Sequence, residues 1–92
     1  MILFNLGRCL MTHALQHDIN NNEITHADIV ELLRKHATGE FGNLCADDID
    51  ANRYAIETGG RILSKYALNN DDVYVITEHD RSYTTVMYCQ EY

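Results

Sequence analysis

Ile76-Thr77-Glu78-His79-Asp80-Arg81-Ser82-Tyr83-Thr84-Thr85 sets two acids, an imidazole, a guanidinium and several hydroxyls between two apolar, β-branched runs. Polar residues so concentrated mark either a hydrogen-bonded turn between strands or a presented functional surface. The flanks decide for strands. Val73 to Thr77 and Ser82 to Cys89 are rich in β-branched and aromatic residues, and so is Arg61 to Leu68 before them. Asn69-Asn70-Asp71-Asp72 and Glu78-His79-Asp80-Arg81 are turn-sized and turn-coloured, so three consecutive strands with short connections are expected to form an antiparallel meander.

Upstream, the periodicity changes from two to about 3.6. Thr25 can cap a helix, with Asp28 three residues on as a short-chain capping box. Ile29, Val30, Leu32, Leu33 and His36 or Ala37 then recur at helical spacing, and Gly39 suits a left-handed stop. Asp47 or Asp48 opens a second helix that runs to about Thr58 and ends at Gly59-Gly60. On it Cys45, Ile49, Asn52 and Ile56 share a side, which places an amide on an apolar face where it needs partners. Phe41, in the loop between the helices, is expected to tuck under a neighbouring element. Residues 2–12 leave strand and helix open, residues 13–19 can form one or two helical turns, and Asn20-Asn21-Asn22 breaks the pattern. The expected fold is α+β and two-layered: two or three helices on an antiparallel sheet of three strands, or of four, in one domain spanning residues 1–92.

Composition narrows the function classes. A 46% hydrophobic, 23% charged chain is that of an ordinary globular protein. Fourteen acids against seven Lys or Arg give a net charge of −7, and nine of the acids fall in the last 46 residues. Such a field repels phosphate backbones, so no direct nucleic-acid binding is expected; basic protein surfaces, many of which exist to hold nucleic acid, are the favoured partners. The same charge also serves plain solubility. Cys9, Cys45 and Cys89 are isolated and lack a C-x-x-C pair, and reduced, buried thiols in a cytoplasmic protein are expected. Met1-Ile2-Leu3-Phe4 lacks the basic start and apolar core of a signal peptide, and no membrane association is expected.

No motif spells out a reaction. His13 and His17 stand four apart but lack an H-E-x-x-H acid and a third ligand, so no metal is expected. Phosphate-cradling glycine patterns are missing and no cofactor is expected. Asp47, Asp48 and Asp50 complement a helix N-terminus, worth about 0.3–1 kcal/mol each, or else they imitate phosphates. Further along the same helix come Arg53 and Glu57. Glu78, Asp80 and Arg81 can act as acid, base and anion clamp; they can equally close the turn through an Arg-carboxylate bond.

Four stretches together resemble a family: His36-Ala37-Thr38-Gly39-Glu40-Phe41-Gly42-Asn43-Leu44, Gly59-Gly60-Arg61-Ile62-Leu63-Ser64-Lys65-Tyr66, Ile76 to Thr85, and Glu91-Tyr92. The chain looks like the small plasmid- and phage-borne proteins labelled plasmid-related and of unknown function, from about residue 30 to residue 92. Members tend to carry tryptophan where Phe41 and Tyr74 stand, and proline near His13 and Cys89. The resemblance implies a mobile-element setting, and by class analogy an anti-defence role of the anti-CRISPR kind. The leading expectation is a non-enzymatic inhibitor that occupies the basic surface of a CRISPR or restriction complex through Asp47, Asp48, Asp50, Glu57, Glu78, Asp80 and Arg81. Two alternatives stand beside it. One is a small enzyme or ligand-binding domain using Glu78, Asp80, Arg81 and His36 in a concave pocket; the other is a subunit whose exposed strand pairs with a copy of itself, a homodimer.

Overall fold

A computed structural model describes all residues, Met1–Tyr92. The chain runs β1 (Arg8–Met11), α1 (His13–Asn20), α2 (His26–Ala37), α3 (Ala46–Thr58), β2 (Ile62–Leu68), β3 (Asp71–Thr77), β4 (Tyr83–Tyr88) and a 3₁₀ turn at Cys89–Glu91. The meander of β2, β3 and β4 forms as the sequence predicts, with Ser64 opposite Val75 and Val75 opposite Val86. The sheet order is β1-β4-β3-β2. The fourth strand corrects the antiparallel expectation: β1 runs parallel to β4, with Cys9 opposite Thr84 and Met11 opposite Val86. The cause is the crossover, since α1, α2, α3 and two strands lie between β1 and its partner.

The turn after β2 is tighter than the sequence suggests. Asn69 takes φ of 57°, so a two-residue Asn-Asn turn lets β3 start at Asp71 rather than Val73. At α2 the capping box is complete. The Asp28 backbone N–H donates to Thr25 Oγ1 at 3.1 Å, and the Thr25 N–H donates to Asp28 Oδ2 at 3.0 Å. Val30, placed by periodicity on the buried stripe, is instead exposed, beside an open depression that it lines with Ile2, Leu6 and Leu33. In α3 the N-cap is Cys45, not an aspartate, and Asp47 and Asp48 sit inside the first turn. Cys9 and Cys45 are exposed and Cys89 half-buried, against the expectation of buried thiols.

All three helices cover one face of the sheet. Residues 62, 64 and 66 of β2, 73, 75 and 77 of β3, and 84, 86 and 88 of β4 point at them and are buried, as strand alternation requires. Leu15, Ile29 and Leu32 pack on Val73, Val75 and Val86, and a second cluster joins Phe4, Phe41, Ala55 and Ile62. Between the two runs a wholly buried polar chain of Ser64, His36, Thr77 and Thr84, each 0% exposed. Its proton order follows from counting hydrogens. Thr84 Oγ1 donates its single hydrogen to the Leu6 carbonyl at 2.6 Å, so the Thr77 hydroxyl must donate to Thr84, also at 2.6 Å. Thr77 then accepts from His36 Nε2–H at 2.9 Å, which leaves Nδ1 to accept from the Ser64 hydroxyl at 2.5 Å. One imidazole in one tautomer thus links α2, β2, β3, β4 and the segment leading into β1.

Both outward positions of the β2 edge at its start are closed. Asn52 Nδ2 donates to the Leu63 carbonyl at 2.6 Å and its Oδ1 accepts from the Leu63 N–H at 3.0 Å. The Lys65 N–H donates to the Phe41 carbonyl and its carbonyl accepts from the Asn43 N–H. Gly42 sits across from Lys65 at φ of 79°, and a Cβ there would fall on the Lys65 carbonyl oxygen. The amide that the sequence places on an apolar face is therefore the cap of an edge strand.

Candidate protein-binding face

The exposed side of α3 follows from its buried side. Ile49, Asn52, Ala55 and Ile56 turn to the sheet, so the opposite arc carries Asp47, Asp50, Tyr54 and Glu57 at spacings of three, four and three. These four lie along one stripe that rises about 15 Å from first to last. Tyr54, 69% exposed, stands in its middle. Asp48 lies to one side in the first turn, where the helix dipole favours it. The only ion pairs of the chain are Arg34 with Glu31, Arg34 with Glu40, and Arg61 with Glu78. Asp47, Asp48, Asp50 and Glu57 therefore present unpaired carboxylates, and Arg53 does not neutralise them.

The turn that follows β3 is held against the far end of this helix. Arg81 Nη2 donates to the Ala55 carbonyl at 2.9 Å, and Nη1 donates to the carbonyls of Gly60 at 2.6 Å, Glu78 at 3.0 Å and His79 at 3.2 Å. The last turn of α3 has no basic residue of its own. Arg81 supplies the missing cation from 26 positions away. Its guanidinium also lies 5.7 Å from the Phe4 ring centre. An Arg-carboxylate clasp was the expected closure; the observed closure is Arg-carbonyl, because the helix end and the turn converge carbonyl oxygens on one point.

Arg81 thereby brings Glu78 and Asp80 to the end of α3 where Glu57 lies. Glu78, half-buried, pairs with Arg61 at 3.3 Å. Asp80 is exposed and accepts from the Ser82 hydroxyl at 2.6 Å and the Ser82 N–H at 3.0 Å, which hold its carboxyl below the usual range. Of the seven residues singled out by sequence, Asp47, Asp48, Asp50, Glu57 and Asp80 are exposed carboxylates, Glu78 is partly spent on Arg61, and Arg81 is a structural cap. Tyr54 is the residue the sequence reading missed; its position three before Glu57 and four after Asp50 was the available signal.

A pocket gathering Glu78, Asp80, Arg81 and His36 does not form. His36 is sealed, and burial lowers its pKa to about 4, so it is neutral. Arg81 does line an open depression of about 560 Å³ with Phe4, Asn5, Gly7 and Cys9. That depression holds no acid–base pair, and burial pushes the Cys9 thiol up, away from a reactive thiolate. No three His, Cys, Asp or Glu side chains converge to hold a metal ion. No helix is long and apolar enough to cross a membrane.

Comparison with models of protein families, with curated proteins and with solved structures finds no match.

Proposed function

We propose that the protein is a non-enzymatic interaction protein of a mobile genetic element, acting in the cytoplasm. It inhibits a host nucleic-acid-handling defence complex, of the CRISPR or restriction kind, by laying the outer face of α3 on that complex's basic surface. One observation carries the reading: Asp47, Asp50 and Glu57 form a single stripe around Tyr54, with no cation of the chain engaged to them. Carboxylates left unpaired on a rigid helix are preorganised for arginines and lysines of a partner, and an exposed tyrosine adds contact area at little entropic cost. Asp48 and Asp80 widen the negative field at the two ends of the stripe.

The test is binding to a purified basic nucleic-acid-handling complex, measured at low and high salt. Exposed charges act over about 10 Å at 0.1 M salt and about 3 Å at 1 M, so affinity falls steeply as salt rises. Reversal of Asp47, Asp50 and Glu57 to lysine weakens binding at low salt by at least about tenfold, near 1.4 kcal/mol. Binding indifferent to both salt and charge reversal contradicts the reading.

A further inference from the structure

We propose that the protein forms a two-fold dimer by antiparallel pairing of β1 with β1 of a second copy, making one continuous eight-stranded sheet. The inference stands independently of the role given to α3.

The two edges of the sheet are treated differently. On β2, the outward groups of Leu63 and Lys65 are occupied by the Asn52 amide and by residues 41–43. On β1, the N–H groups of Arg8 and Thr12 donate inward, to the carbonyls of Ser82 and Val86. By alternation the N–H and C=O of Cys9 and Met11 point outward, and nothing in the chain meets them. A row of unpaired strand groups is a template for another strand.

Three features select a second copy of this chain as that strand. First, the four outward groups are self-complementary. With the axis beside Leu10, Cys9 exchanges both bonds with Met11 of the partner subunit, and Met11 with Cys9 of the partner subunit, giving four hydrogen bonds. Second, Leu10, 41% exposed, then faces Leu10 of the partner subunit in the close, non-hydrogen-bonded position. Third, the charges match. The same register sets Arg8 opposite Thr12 of the partner subunit, and Thr12 Oγ1 donates to Glu91 Oε1 at 2.9 Å. Arg8 has no acid within its own chain, and Glu91 has no cation. Pairing places each Arg8 beside a Glu91 carboxylate, twice over, on either side of the leucine contact. The acidic stripe does not oppose this: α3 packs at β2, three strands from the axis, and the two stripes end up at opposite ends of the assembly.

Light scattering across a concentration series reads the mass directly. The wild-type chain is expected to approach twice 10.6 kDa. Arg8→Glu, an exposed change checked for folding by circular dichroism, turns two attractive contacts into two repulsive ones and should weaken dimerisation about tenfold or more. Leu10→Cys, with Cys9, Cys45 and Cys89 replaced by serine, should oxidise to a cross-linked dimer, while Ala67→Cys on the other edge in the same background should not. A chain that stays monomeric throughout the series overturns the proposal, and so does a dimer that ignores Arg8→Glu and fails to cross-link at position 10. Uptake of an unrelated strand peptide by a monomeric chain overturns it too.

Discussion

Replacing Arg81 removes the one cation that joins the 78–81 turn to the end of α3. Its guanidinium donates to four carbonyls at 2.6–3.2 Å, two of them, Ala55 and Gly60, at the helix end. Hydrogen bonds to charged groups contribute about 1.5–3 kcal/mol each. Arg81 is half-exposed and its acceptors regain some water on truncation, so the low end applies. Taking the two bonds at the helix end, with a few tenths for the lost dipole partner, Arg81→Ala should cost about 3 kcal/mol. A chain of this length has a total stability of roughly 5–14 kcal/mol, so the loss is large and measurable. A second variant separates side chain from backbone. Arg81 adopts φ of 60°, which costs a residue with a Cβ about 1 kcal/mol. Arg81→Gly loses the same bonds but sheds that strain, and should be about 1 kcal/mol more stable than Arg81→Ala. Urea unfolding followed by far-ultraviolet circular dichroism measures both. Wild-type stability in Arg81→Ala, or an alanine variant more stable than the glycine one, would refute the assignment of Arg81 as a structural cap.

Other consequences follow from the same contacts. His36 has a folded-state pKa near 4 because burial penalises the imidazolium, below the ordinary 6.5 it regains on unfolding. The unfolded chain therefore binds the proton first, and stability contributed by neutral His36 is intact above pH 6.5 and lost as pH falls toward 4, by about 3 kcal/mol. Urea midpoints taken across that window should lose this slope in His36→Gln, and an unchanged slope would contradict it. Asn52→Leu keeps the size but strips the Leu63 backbone of both partners, with an expected cost of about 2–4 kcal/mol in urea unfolding. Gly42→Ala should be far worse than Gly59→Ala in the same assay. Both carry positive φ, but a Cβ at 42 meets the Lys65 carbonyl and one at 59 meets nothing within 4 Å.

What was legible in the sequence was what local chemistry sets. The Thr25–Asp28 cap, the stop at Gly59, the meander and the need of Asn52 for partners all depend on spacings a few residues long. What escaped depends on distant approach. Nothing in Arg8 to Met11 announces that this run will lie parallel to β4, because that pairing is decided by where three helices leave the chain. The acids of α3 lie on its exposed face, as helical spacing allows, whereas Arg81, grouped with them by its charge and its place in the turn, is spent on backbone carbonyls. Its carbonyl acceptors at Ala55 and Gly60 become neighbours only when helix and hairpin are both in place. His36 reads from the sequence as a position on the helical stripe or a pocket group, because its hydroxyl partners lie 28 and 41 residues downstream. Spacing reveals faces, and it does not reveal which backbone oxygens a long side chain will find.

The central claim, that the α3 stripe binds a basic partner, is tested most directly by capture from a host lysate. Immobilised wild-type protein is compared at low and high salt with a variant carrying Asp47→Lys, Asp50→Lys and Glu57→Lys, whose fold is verified by circular dichroism. The account predicts that a basic nucleic-acid-handling complex is retained by the wild type at low salt, released at high salt, and not held by the variant. Retention of the same complex by the variant, or by the wild type at high salt, would contradict it.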